Sequence, residues 1–170
     1  MILLNLLISR LIETQKKEVL IIEENHEIKL EAGKNTHENI IYTCFGGLSN
    51  TGITASMASL EVVKELGLDK IGIGCLTGHS TDVQPVYAKT SVAKKIITVD
   101  GCPKECARKI VEHAGFSIAK SIVLARDIGM KKVPFHQDVA SGDLKGIMAY
   151  LSEDEIQKAK DLIKDSILSD

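Results

Sequence analysis

A strand, a tight turn and a helix follow one another in the stretch IITVDGCPKECARKIVEHAG, which begins at Ile96. Its first four residues are rich in β-branched side chains, which favour a buried strand. The Asp100-Gly101 pair has the chemistry of a turn. We predict that a helix begins directly afterwards, with Cys102 at its N-cap and Pro103 at its first position. No other stretch of the chain constrains the fold as strongly.

Two cysteines stand at the predicted start of this helix. Cys102 and Cys106 are four residues apart, which would place them on one helix face about one turn apart. The N-terminus of a helix carries a partial positive charge that stabilises thiolates, so a reactive or metal-bound thiolate is one interpretation. The other is that both residues are small buried hydrophobic side chains, as free cysteine often is.

Strands and helices alternate through the rest of the chain. Further strands are predicted at residues 40–45, 70–76 and 121–124, with helices at residues 53–67 and 85–94 and a final helix capped by Ser152 and Glu155. Alternating elements imply right-handed crossovers and a parallel sheet that is covered on both faces. We therefore expect a three-layer α/β fold, a Rossmann- or flavodoxin-like and mostly parallel sheet with flanking helices.

The N-terminal part differs in character from the rest. Residues 1–12 are strongly apolar, but they lack the basic start and the cleavage site of a secretory signal and are too short to span a bilayer. A core-packing helix or a subunit contact in a homo-oligomer is expected there. Residues 19–30 predict a β-hairpin. The predicted domains are residues 1–36 and an α/β domain over residues 37–170, in a protein of the cytoplasm.

Composition argues against some classes of partner. The net charge is −2 and acidic and basic residues are interleaved, so we expect neither a basic nucleic-acid surface nor a membrane segment. The chain has no Trp and only three Phe and three Tyr, which argues against base stacking. Four cysteines in the cytoplasm are more typical of metal binding or redox chemistry than of disulfides.

All four cysteines fall near the end of a predicted strand. Cys44, Cys75 and Cys102 each stand at or just past such an end, and Cys106 lies in the first turn of the next helix. The carboxyl ends of parallel strands share one edge, where open α/β sheets bind ligands. Cysteines without a shared role would scatter along the elements instead. Four convergent thiolates are the ligand set of a tetrahedral Zn²⁺ site, and they could equally hold an iron–sulfur cluster.

Three nearby features allow a functional or a structural interpretation. Asp100 could orient a ligand or act as a general base, or it could cap the turn. His79 could replace a metal ligand or carry a proton, or it could be a loop histidine without a role. The glycine-rich residues 46–52 could bind an anion, but they match no nucleotide-binding motif, so we expect a plain tight turn.

The sequence resembles the DGC-domain family of predicted zinc-binding proteins. The family is named for an Asp-Gly-Cys motif, which stands here at the start of DGCPKECARKIVEHAG. TCFGGLSNTG around Cys44, GCLTG around Cys75 and the late Asp127-x-Gly129-x-Lys131 are also similar to its pattern. The resemblance covers residues 40–132.

The resemblance implies a ligand set but no activity. It implies zinc ligands at Cys44, Cys75, Cys102 and Cys106. Many relatives have a further cysteine where this chain has Gly47, so a spare ligand or resolving thiol is missing here. A metal-binding protein is thus the leading hypothesis. The alternatives are a redox protein or enzyme with Cys102 as nucleophile, an iron–sulfur protein, or an anion-binding module with incidental cysteines.

Overall fold

The computed structural model of the chain describes residues 30–31, 34, 36–47, 49–133, 135, 141–142 and 146–169. The predicted N-terminal helix and nearly all of the predicted hairpin lie outside these residues, so the division at residue 36 stays a prediction. In the described ranges, no helix combines the length and the apolar character that crossing a membrane requires.

Strands and helices alternate through the described residues. The strands are β1 Asn39–Thr43, β2 Ile71–Ile73, β3 Lys95–Asp100 and β4 Lys120–Val123. The helices are α1 Asn50–Leu66, α2 Leu76–Ser80, α3 Gln84–Ser91, α4 Cys106–His113, α5 Leu124–Asp127 and α6 Glu153–Leu168, with a 3₁₀ turn at Ile147–Tyr150. The four strands and the helices α1, α3 and α6 agree with the sequence prediction except for a few residues at their ends. The short helices α2 and α5 and the 3₁₀ turn were not predicted, and α2 lies where a loop was expected.

The four strands form one parallel sheet in the order β2–β1–β3–β4. This confirms the expected α/β fold of the Rossmann or flavodoxin kind. The strand order reverses between β1 and β3, because the chain moves from β1 outward to β2 and then returns to β3. The crevice beyond the carboxyl ends of β1 and β3 is therefore the topological switch point, where such sheets bind ligands.

Successive residues of a strand face opposite sides of the sheet, and here both sides are buried. On one side, Ile41 and Ile97 belong to a core that also contains Val62 of α1 and Ile163 of α6. On the other side, Tyr42 belongs to a smaller cluster with Ile40, Ile96 and Val111 of α4. Helices thus cover both faces, as a parallel sheet requires.

Helix α6 confirms its prediction in detail. The Ser152 hydroxyl accepts a hydrogen bond from the Glu155 amide at 3.5 Å, so the predicted cap is present. Ile156, Ala159, Ile163 and Ile167 form the buried stripe of the helix. This stripe packs on α1 as one apolar face at helical spacing.

The predicted start of α4 is wrong. The helix begins at Cys106, whereas residues 102–105 form a turn in which Glu105 has a left-handed φ of 52°. The cap comes from Asp100, whose carboxylate accepts hydrogen bonds from the backbone amides of Ala107 at 2.8 Å and Arg108 at 3.1 Å. Cys102 is therefore not a helical residue, and the expected one-turn spacing between Cys102 and Cys106 is not formed.

Candidate functional site

The structure places all four cysteines at the carboxyl edge of the sheet. Cys44 follows β1 directly, Cys75 and Cys102 come shortly after β2 and β3, and Cys106 opens α4. All four are free thiols; Cys75 and Cys106 are exposed, and the other two are partly buried.

The thiols of Cys44 and Cys106 are neighbours, and the Cys106 thiol contributes to the raised pKa of Cys44. The backbone of Cys44 is fixed, since its amide donates to the Val99 carbonyl at 2.9 Å and extends the pairing of β1 with β3. Burial, with a smaller effect of the nearby Asp100 carboxylate, raises the pKa of the Cys44 thiol to about 11. The pair thus consists of one partly buried, protonated thiol and one exposed thiol.

Asp100 holds this pair in place. Its side chain is 1% exposed, and each carboxylate oxygen accepts an amide hydrogen bond from the first turn of α4. Burial raises its pKa, against the lowering effect of the two amides. Because both oxygens are occupied, Asp100 acts as the helix cap that joins the end of β3 to α4, and this contact fixes Cys106 beside Cys44.

The turn before Cys102 lies directly against helix α1. A Cβ atom on Gly101 would lie 2.5 Å from the carbonyl carbon of Thr51 and 2.6 Å from the amide nitrogen of Gly52. A Cβ on Gly52 would in turn lie 2.5 Å from the Gly46 Cα. These glycines allow the loop after β1, the first turn of α1 and the turn after β3 to touch, which supports the expected tight turn at residues 46–52.

Cys75 serves as the N-cap of α2. Its sulfur accepts a hydrogen bond from the Gly78 amide at 3.3 Å. The side chain remains exposed. Cys75 therefore has a local structural contact and stays accessible to a ligand at the sheet edge.

His79 is buried in α2, so the prediction of a loop histidine is wrong. The ring is 4% exposed, and its Nε2 atom lies 2.8 Å from the Tyr42 hydroxyl and 3.1 Å from Thr90 Oγ1. The ring also packs edge-on against Tyr87, with 4.8 Å between centroids. Burial lowers its pKa, which favours the neutral imidazole near pH 7. These contacts give His79 a packing role between the sheet and the helices on its second face.

The family model of the DGC domain matches residues 40–151. The chain belongs to the DGC-domain family. The matched range begins in β1, ends just after the 3₁₀ turn and contains all four cysteines, so the resemblance predicted from the sequence is confirmed. No match to the chain was found among curated proteins or solved structures. A metal-binding role in general is consistent with membership of the DGC-domain family.

The cysteines of the DGC domain fit zinc in their chemistry and in their place at one edge. In their present positions they are not a complete site, because no three His, Cys, Asp or Glu side chains among the described residues lie close enough to hold an ion. Cys44 and Cys106 meet, whereas Cys75 and Cys102 lie outside that contact. Four thiols at one edge are a suitable donor set, of which one pair is assembled.

Sequence reasoning missed two residues at this edge of the DGC domain. The Lys132 ammonium lies 3.9 Å from the Cys102 sulfur, and Asn50 holds the backbone on either side of Lys132. The only sequence signal was the Asp-x-Gly-x-Lys pattern, which ends on the neighbouring Lys131. Asn50 carried no signal, because its partners are about eighty residues away in the chain.

Proposed function

We propose that this protein binds zinc through Cys44, Cys75, Cys102 and Cys106, in a sensing, trafficking or structural role in the cytoplasm. The proximity of the Cys44 and Cys106 thiols carries the proposal, because it brings two distant parts of the chain together at the switch point of the sheet. Cysteine thiolates are preferred ligands of tetrahedral zinc sites, and an iron–sulfur cluster is the alternative for the same donor set.

Cys75 and Cys102 have to approach this pair for four thiols to share an ion. Cys102 lies in the turn of residues 102–105 rather than in a helix, and Cys75 is exposed. Zinc would remove the thiol protons, including that of Cys44, whose pKa is about 11 in the metal-free chain. Zinc affinity is therefore expected to rise with pH.

Elemental analysis of protein purified without oxygen tests the proposal. We expect about one zinc per chain, as in a structural four-cysteine site, and loss of zinc when each cysteine is changed to serine in turn. His113→Gln is the control. Histidine is a residue type that can bind metal, but His113 is exposed at the far end of α4 and is not one of the proposed ligands. A reduced protein without metal, or a Cys75→Ser or Cys102→Ser variant with full zinc content, would refute the four-ligand site. Iron with visible absorption would identify a cluster instead.

A thiol-dependent redox function is the second candidate, and the same contact favours it. Two neighbouring free thiols can be oxidised to a disulfide by hydrogen peroxide, which is reduced to two molecules of water and takes up both thiol hydrogens. The structure gives less support to Cys102 as a nucleophile, because the helix N-terminus that was expected to activate it begins at Cys106. Formation of a Cys44–Cys106 disulfide when the metal-free protein reacts with hydrogen peroxide would favour this candidate.

A further inference from the structure

We propose that Lys132 places a positive charge beside the sulfur of Cys102, and that Asn50 is the residue that positions Lys132. The part of this inference that concerns zinc rests on the proposed function. The positioning itself is a property of the metal-free chain and is tested separately below.

The first observation is the contact itself. The Nζ atom of Lys132 lies 3.9 Å from the sulfur of Cys102. No carboxylate pairs with Lys132 within the part of the chain that the structure describes. The ammonium group of Lys132 therefore faces the Cys102 sulfur without a partner carboxylate among the described residues.

The second observation is how the backbone around Lys132 is held. Asn50 is 6% exposed, and its side-chain amide donates to the Lys131 carbonyl at 2.9 Å and accepts from the Val133 amide at 2.7 Å. The Asn50 backbone amide adds a longer bond to the Val133 carbonyl at 3.4 Å. These bonds lie on both sides of Lys132, so they fix the point from which its side chain extends.

The third observation is that the same helical turn also fixes the thiol. Gly101 packs against the backbone of Thr51 and Gly52, directly beside Asn50 in the first turn of α1. The turn that carries Cys102 and the segment that carries Lys132 are thus both held by this one rigid element. Their distance is set by tertiary structure, although they are thirty residues apart in the chain.

Lys132 would act on a metal centre through charge. Four thiolates around Zn²⁺ leave a formal charge of about −2, which a neighbouring ammonium partly offsets. Loss of a residue that supports a metal ligand typically weakens metal binding about 10- to 100-fold. We expect Lys132→Gln to weaken zinc binding by this factor and Lys132→Arg to restore it. Lys131→Gln is the matched control, because it removes the same charge one residue away.

The charge is tested in the reduced, metal-free chain by alkylation of Cys102 at one fixed pH, with peptides quantified by mass spectrometry. Iodoacetate is anionic and iodoacetamide is neutral, and both react with the same thiolate, so their rate ratio reports the local charge. We expect Lys132→Gln to lower the ratio about fivefold, as one charge about 4 Å away in water would. Asn50→Ala should lower it as well, because both side-chain hydrogen bonds to the backbone beside Lys132 are lost without adding a charge.

The two measurements separate the two proposals. Equal ratios in Lys132→Gln and Lys131→Gln, or no recovery in Lys132→Arg, would overturn the role of Lys132 whether or not zinc binds. Equal zinc affinity in wild type and Lys132→Gln would overturn its role in metal binding and leave the zinc site standing. A wild-type chain without zinc would refute the proposed function, and a lowered ratio in Lys132→Gln would still support the Lys132–Cys102 pair.

Discussion

Replacing Gly101 with alanine tests whether close backbone packing holds this site together. The added Cβ would lie 2.5 Å from the Thr51 carbonyl carbon and 2.6 Å from the Gly52 amide nitrogen. Both atoms belong to the backbone of α1, so no side-chain rotation can relieve the overlap. Overpacking of this kind typically costs about 1–3 kcal/mol, and we expect the free energy of unfolding to fall by that amount.

The assays are urea denaturation for the free energy of unfolding and thermal denaturation for the melting temperature, both followed by circular dichroism at neutral pH. Each kcal/mol lost should lower the melting temperature by about 2–4 °C for a chain of this size. Gly146→Ala is the control, because a Cβ there would meet no atom of the described residues within 4 Å and its φ is −59°. A Gly101→Ala variant that matches the Gly146→Ala variant in stability would contradict the close approach of the two turns. The same variant should also lower metal content, since it displaces Cys102.

Three further predictions concern charge. Asp100→Ala should lower the free energy of unfolding by about 2–4 kcal/mol in urea denaturation. The substitution removes the cap of α4 and leaves the amides of Ala107 and Arg108 without their acceptor. Hydrogen bonds from Lys160 and Lys164 lower the pKa of Glu65 to about 2, so its stabilising effect should be complete above pH 4.5 and disappear as the pH falls towards 2. In Glu65→Gln, the free energy of unfolding measured between pH 2 and 4.5 should therefore depend less on pH. Competition with a chelator should show zinc affinity rising between pH 6 and 8, as Cys44 loses its proton more readily.

The fold could be predicted from the sequence, because the signals for its strands and helices are local and repeated. The β-branched run at residues 96–99 and the capped stripe of α6 depend on neighbours within one strand or one helix. Alternation of such elements then restricts the sheet to parallel pairing. The start of α4 was predicted wrongly. Cys102 and Pro103 have the sequence pattern of a helix start, but the residue that caps the helix is Asp100 at the end of β3.

For the candidate site, the sequence could predict the edge of the sheet but not the contacts between side chains. Parallel strands fix which edge receives the residues after each strand, so the sequence could bring four cysteines to that edge. The expected role of His79 was wrong, because its burial depends on Tyr42 and Thr90, which come from other elements. Whether Asp100 was a base or a cap could not be decided either, since the answer depends on where two amides of α4 lie.

The amino-acid sequence by itself determined the α/β class, the family and the edge at which the cysteines lie, because each depends on local pattern and on strand direction. Only the tertiary structure decided that Cys44 meets Cys106, and that Lys132 faces Cys102. Contacts between side chains depend on loop conformation and on helix starts to within a few ångströms. Those are set by packing between distant segments, here the first turn of α1 against the turns that follow β1 and β3.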